Sequence, residues 1–332
     1  MGSMILFFSD KKGLHMSEEE KKKKSHPVLK AVGVTAAAGA AAYAGVSYYI
    51  FRETFDMDKS RYMPEQRPVY NAKELSEWIS AASRKDEFVN SFDGLAMHAL
   101  VVEAHPESHD WIILMHDYHS CARDMLSYMK LCEGLGLNIL APDSRGCGAS
   151  EGRYTGLGWL EHYDLISWIN WLCEKDRDSR IILLGKGMGA NAVMNALGDY
   201  IPKNVVGAVE IGGYSSLRKE MIYIINKNAK YASGATVPCI DFYVKQLLHF
   251  SLYDVDTLRQ LSLARVPVLF VHGGKDEVVP SGMAEECMAA CASEKKILTI
   301  ADAGHDDLEG REEFDQGLSG FIKELFEPSN NA

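Results

Sequence analysis

No two cysteines in this chain stand at C-x-x-C spacing, and their total, seven, is odd. Neither a zinc framework nor a disulfide scaffold is written in them, and they read as small buried apolar side chains. Cys287 and Cys291, one helical turn apart, would then share a core face. Positive charge is also short. Lys and Arg number 35 against 46 Asp and Glu, a net charge of −11, which argues against a nucleic-acid partner. No internal repeat is present, so solenoids and propellers are excluded. What remains is ordinary for a folded globular protein, with 47% hydrophobic and 24% charged residues. The 332 residues suffice for one large α/β domain with appendages.

Long apolar runs are equally scarce. The one candidate covers residues 28–51, interrupted only by Lys30 and preceded by Lys21-Lys22-Lys23-Lys24. At ~1.5 Å per residue such a helix reaches across a ~30 Å hydrocarbon core. Alanine and glycine dominate it, and leucine is nearly absent. The expectation is a single-pass anchor in the cell membrane, with residues 1–27 as a basic cytoplasmic tail and the folded domain on the outer face. The alternative is a cleaved signal segment and a secreted protein, with Ala42-Tyr43-Ala44 as the small-residue cleavage site. Residues 52–86 read as a charged connector, helical around 72–82, and residues 327–332 as a tail.

From residue 87 a regular rhythm begins. Residues 88–90 and 96–102, joined through the Asp93-Gly94 turn, read as a hairpin. Trp111-Ile112-Ile113-Leu114-Met115 suits a strand buried on both faces. A helix over 122–135, a strand over 138–141 and a helix over 156–172 follow. Further strands are expected at 205–211, 266–271 and 296–300, with helices near 283–292 and 314–326. Alternating strands and helices predict a parallel sheet covered on both sides. Residues 214–262 break the rhythm. They are helical in pattern and read as an inserted cap over the carboxyl ends of the strands.

One missing residue matters more than any of these. The run Ile181-Ile182-Leu183-Leu184 breaks into Gly185-Lys186-Gly187-Met188-Gly189. That is the layout of a nucleophile elbow, G-x-S-x-G, with Gly187 where the serine belongs. Downstream, Asp276 follows a strand in His272-Gly273-Gly274-Lys275-Asp276, and His305 follows the next in Ala303-Gly304-His305-Asp306. Nucleophile, acid, histidine is the order in which a carboxylate orients an imidazole that serves the nucleophile as base.

With these motifs, and with Ser91-Phe92-Asp93-Gly94, Gly213-Tyr214-Ser215-Ser216 and the run from Pro142 through Asp143, Arg145 and Gly146 to Gly152, the chain from about residue 87 to 326 resembles the α/β-hydrolase superfamily. More narrowly, it is similar to the membrane-tethered bacterial branch of serine-aminopeptidase-like hydrolases. The resemblance implies a mostly parallel sheet of about eight strands, helices on both faces and an inserted helical cap. It also implies relatives that cleave esters or peptides through a serine. The oxyanion hole would use the backbone N–H groups of Tyr118 and Met188.

Departures fall on that machinery. Gly187 offers no nucleophilic oxygen. Asp117, in His116-Asp117-Tyr118-His119-Ser120, replaces a glycine of the H-G-x-x-G loop, where a carboxylate would repel a developing oxyanion. Lys186 is unusual at its place, and an ion pair with Asp117 across adjacent strand ends is expected. Cys147 stands where a histidine is usual. The sequence therefore points to a non-catalytic or strongly impaired hydrolase that keeps a pocket for a small molecule or peptide. An engineered serine-to-glycine change is a further source of Gly187. The alternative function is an active ester or peptide hydrolase working through another nucleophile or a water activated by His305. Ser120, Cys121 and Cys147 are the candidate substitutes, none of them on an elbow. No cofactor is implied, and His116, His119 and Cys121 lack the spacing of a metal set.

Overall fold

The computed structural model describes residues 27–57, 72–229 and 233–326. The tails expected at 1–27 and 327–332 lie outside these residues, save Pro27, and so does the 58–71 part of the connector. Compact units form at Met1–Val46 and Ser47–Ala332, and the sheet and its site belong to the second.

Eight strands make one sheet in the order β1-β2-β4-β3-β5-β6-β7-β8. Strands β1 (Arg84–Asn90) and β2 (Ala96–Val102) form the antiparallel hairpin, and β2 also lies antiparallel to β4 (Asn138–Pro142). Strands β3 (Asp110–Met115), β5 (Arg180–Lys186), β6 (Val205–Ile211), β7 (Val268–Gly273) and β8 (Lys295–Ile300) continue it in parallel. Period-two alternation divides each central strand between two cores. Ile112, Leu114, Ile182 and Leu184 face α3 (Leu126–Gly134) and α10 (Glu312–Phe326). Trp111, Ile113, Ile181 and Leu183 face α4 (Trp159–Lys175), α5 (Met188–Ala196) and α9 (Ser281–Ala290). Both faces are covered, which is why these strands read as unbroken apolar runs. This is the α/β-hydrolase fold.

The glycines around the elbow answer to packing. A Cβ on Gly185 would stand 2.2 Å from the Gly189 carbonyl oxygen, and one on Gly189 2.2 Å from that of Met115. Side chains at either place would push α5 off the sheet.

Between β6 and β7 lie α6 (Leu217–Asn228), α7 (Ser233–Leu247) and the short α8 (Thr257–Leu261). The first two build a third apolar cluster with Tyr214, Val279 and Met283. Asn191 ties this insertion to the elbow helix. Its amide donates to the Tyr214 carbonyl at 2.7 Å and its side-chain oxygen accepts the Tyr214 N–H at 2.9 Å.

The expected membrane span is overturned. Helix α1 runs Pro27–Phe55, yet among the described residues no helix is long and apolar enough to cross a membrane. Alanine and glycine give the segment length without the apolarity that larger side chains supply. From Ser47 onward it belongs to the folded unit. Phe51 and Phe55 are fully buried in the third cluster, and Phe51 lies against Tyr154 and Tyr243. The outer-face placement inferred from that span falls with it.

The helix end is core, so truncating it should behave as a core substitution. Phe55→Ala is expected to lower unfolding stability by about 3–5 kcal/mol, read in a urea titration. A loss under about 1 kcal/mol would mean that the phenyl ring is not part of the core.

Candidate active site

Strand β5 ends at Lys186, and the chain turns through Gly187 into α5. Gly187 has φ +51° and ψ −113°, a strained conformation that glycine adopts without the Cβ clash. The elbow is thus built, at the carboxyl end of a central strand.

The space above it is filled. A Cβ on Gly187 would meet Asp117 Oδ1 at 1.9 Å and Cγ at 2.4 Å. The Asp117 carboxylate lies where a nucleophilic side chain would begin. The register of β3 on β5, with Met115 opposite Gly185, brings the two positions together. Oδ1 accepts the N–H of Tyr118 at 2.6 Å and that of Met188 at 3.0 Å. The two donors assigned to the oxyanion hole therefore converge on one oxygen of an internal carboxylate. His116 braces the loop. Its Nδ1 lies 2.7 Å from the Asp117 carbonyl and its Nε2 accepts the Ser144 N–H at 2.9 Å, so both ring nitrogens are engaged.

The other oxygen, Oδ2, is 3.3 Å from His305 Nε2, and His305 Nδ1 is 2.7 Å from Asp276 Oδ2. Asp276 is fixed in turn by the N–H groups of Val278 and Val279, both 2.8 Å from Oδ1. His305 thus lies between two carboxylates. Burial disfavours its charge, but hydrogen bonds to Asp117 and Asp276, and their charges, push it up to about 10. Burial alone would raise the Asp117 carboxyl. The hydrogen bond and charge of His305, the charge of Lys186 and the Met188 N–H outweigh it and hold Asp117 well below the usual carboxylate range. Asp276 is likewise lowered, His305 overcoming the effect of burial. At neutral pH the centre is an imidazolium clamped by two aspartates.

The Lys186 ammonium has acidic neighbours that the sequence did not place. It lies 3.1 Å from Asp306 Oδ1 and 3.8 Å from Glu309 Oε1, and acts on Asp117 through its charge. Asp117, Lys186, His305 and Asp306 share the wall of a cavity of about 450 Å³. Of the candidate substitute nucleophiles, Ser120 lines the same cavity, and each is engaged or buried. Ser120 donates to Asp124 at 2.9 Å, Cys147 is buried, and burial with the Asp124 charge pushes the Cys121 thiol up to about 11.

Three participants escaped the sequence reading. Asp306 and Glu309 follow the histidine in a loop with no periodicity to place them. Glu220, in the first turn of α6, is buried beside the pair. Burial and the Asp276 charge raise it, His305 opposes them, and it is pushed up to about 7. No motif marks a carboxylate in a cap helix.

No family model matches the chain. It is 26% identical over 194 residues to the uncharacterized protein YqkD of Bacillus subtilis, covering 58% of this chain and 63% of that one, so it spans less than two thirds of that relative. It is 24% identical over 256 residues to the uncharacterized protein Rv2307c of Mycobacterium tuberculosis, covering 75% and 82%. Among solved structures it is similar to the Pyrococcus furiosus esterase Pf2001, with TM-score 0.62, 21% identity and coverage of 79% of this chain and 98% of that one. Acetyl xylan esterase 1 from Thermoanaerobacterium gives TM-score 0.57, 18% identity and coverage of 85% and 93%.

The clamp fixes a pH dependence. Folding holds the His305 proton to about pH 10 against 6.5 for the ordinary group. Its contribution is complete below about pH 6.5 and is lost as pH rises through 10. Unfolding stability should fall between about pH 7 and 10, and Asp117→Asn, by removing one clamp, should flatten that slope. Imidazole nitrogen shifts of His305 should read as imidazolium at neutral pH; a neutral ring there would discard the clamp.

Proposed function

The chain has the α/β-hydrolase fold, and on that premise we propose that it does not carry out acyl transfer through an elbow nucleophile. In this reading it is a hydrolase-fold protein, strongly impaired toward esters and peptides, that takes a small molecule at its charged centre. One observation carries the reading: the Asp117 carboxylate stands in the space of the nucleophile's side chain while its Oδ1 takes both oxyanion-hole hydrogen bonds.

Each step of acyl transfer meets an obstacle. Attack needs an oxygen or sulfur on the elbow, and Gly187 has none. Stabilising a tetrahedral intermediate needs two free N–H groups, and here they already hold a negative oxygen. A general base must be neutral, and His305 is held protonated by Asp117 and Asp276. The esterase names of structurally similar proteins belong to those proteins, and they support a small-molecule ligand in this fold only in general terms.

A second reading has one observation in its favour. Carboxylates serve as nucleophiles in covalent catalysis, and Asp117 Oδ2 faces His305 from the nucleophile's place. Its engagement by the imidazolium, and the lowering of its carboxyl, both weaken it as a nucleophile.

The test uses p-nitrophenyl esters. Natural protein should show neither turnover nor a burst of product. Gly187→Ser alone should change little, because its Cβ meets Asp117 at 1.9 Å. Asp117→Gly with Gly187→Ser should gain at least about 10²-fold over either single variant, the order of magnitude an oxyanion-hole donor contributes. Turnover by the natural protein that disappears in His305→Ala would refute the impaired reading. A covalent adduct on Asp117 found by mass spectrometry would support the second.

A further inference from the structure

We propose that Asp117, His305 and Asp306 form a site for one divalent transition-metal ion, and that this ion is a ligand of the closed centre. The inference rests on the impaired reading, in which no acyl group enters the oxyanion hole.

One ligand atom from each of the three residues lies within 4.8 Å of the other two. Atoms bound to one ion at ~2.0–2.2 Å stand at most ~4.4 Å apart, so closing the set takes only a small movement. His305 Nε2 and Asp117 Oδ2, at 3.3 Å, already have the spacing of neighbouring ligands. Both are oriented from behind. His305 gives Nδ1 to Asp276, the carboxylate–histidine arrangement that fixes a metal-binding imidazole. Asp117 has its other oxygen held by two backbone N–H groups, which leaves Oδ2 directed at the imidazole.

Asp306 supplies the movable member, with its side chain 48% exposed at the cavity wall. The cavity of about 450 Å³ leaves room for waters or a small anion in the remaining coordination positions. Lys186 now provides positive charge at Asp306, and Glu309, at 3.8 Å, offers it a second carboxylate to which it can turn.

An independent observation comes from the cap. The Glu220 side chain is buried, its residue 5% exposed, and neither carboxylate oxygen has a hydrogen-bond partner among the described residues. It lies close enough to His305 and Asp276 for their charges to act on it. This unpartnered buried carboxyl adds a third acidic group, after Asp117 and Asp276, around the His305 ring. One imidazole and two carboxylates suit Mn²⁺ or Zn²⁺ better than a thiol-seeking ion. The metal takes the place of the proton on Nε2, so binding releases that proton to solvent.

The experiment titrates Mn²⁺ alone into the full chain, followed by paramagnetic resonance and calorimetry. Mn²⁺ is chosen because the seven cysteines would take Zn²⁺ without selectivity. One ion per chain is expected. Asp306→Asn and His305→Gln should each weaken binding at least about 10-fold, and Asp276→Asn, acting behind the histidine, about 10- to 100-fold. Circular dichroism checks that each variant is folded. Binding unchanged in both Asp306→Asn and His305→Gln, or absent up to about 1 mM, overturns the site. A chain that binds no Mn²⁺ and cleaves no ester loses this proposal alone, whereas one that cleaves esters without metal loses the impaired reading.

Discussion

A single carboxylate sets the terms for everything around it. Asp117 sends one oxygen into the Tyr118 and Met188 N–H groups and the other toward the His305 ring. Burying such a charge is unfavourable unless hydrogen bonds and an opposite charge meet it. The neighbourhood supplies both. His116 braces the loop that carries Asp117, and Asp276 holds the far side of the imidazole. Lys186 adds positive charge from the adjacent strand end. The parallel register of β3 on β5 makes the arrangement possible, because it places the two loops over one another. Position 187 must then be glycine on two counts, the positive φ and the absence of room for a Cβ.

Much of this was legible in the sequence, and the limits have physical causes. Strands such as Trp111–Met115 announce themselves because both faces are buried, so nearly every residue is apolar. The elbow is readable from Gly185, Gly187 and Gly189 because close helix–strand packing admits no side chain there. The sign of Asp117 was also readable: a carboxylate at an oxyanion loop opposes acyl transfer. Its location was not, since the sequence shows a charge near the hole and only the backbone course shows the charge inside it. Lys186 was set beside Asp117 by strand adjacency, and its charge acts there, while the loop after β8 brings Asp306 and Glu309 to the same ammonium. Loops carry no period, and so their side chains cannot be placed in advance. The 28–51 segment misled for a different reason. Length and scarcity of charge resemble a span, but an alanine-rich helix is weakly apolar, and Phe51, with Phe55 just beyond the segment, goes to the core.

The cap shows what an insertion adds to a site. Its departure from the sheet is fixed at Tyr214 by Asn191, a residue of the elbow helix, so cap and elbow are held as one piece. That anchoring carries α6 across the pair formed by His305 and Asp276 and delivers Glu220 to it. A residue well beyond the strand-to-helix turn in sequence thus becomes part of the same electrostatic group. Its raised carboxyl and the lowered carboxyls of Asp117 and Asp276 belong to one balance. The imidazolium satisfies two acids, and the third, without a hydrogen-bond partner among the described residues, holds its proton more readily.

Asp117 and Gly187 are better regarded as one feature than as two losses. A serine at 187 and this carboxylate exclude each other, because the first atom of the side chain would fall 1.9 Å from Oδ1. Replacing serine by glycine in a working site leaves the oxyanion hole open to solvent or ligand. Here one Asp117 oxygen takes the Tyr118 and Met188 N–H groups, and the histidine is bound to the same carboxylate. Displacing Asp117 would cost its carboxylate both backbone N–H groups and leave it on a wall where Lys186 and His305 already face Asp124, Asp306, Asp307 and Glu309. The carboxylate can therefore keep this place only while residue 187 has no side chain. That mutual dependence is what an isolated serine-to-glycine substitution would not produce.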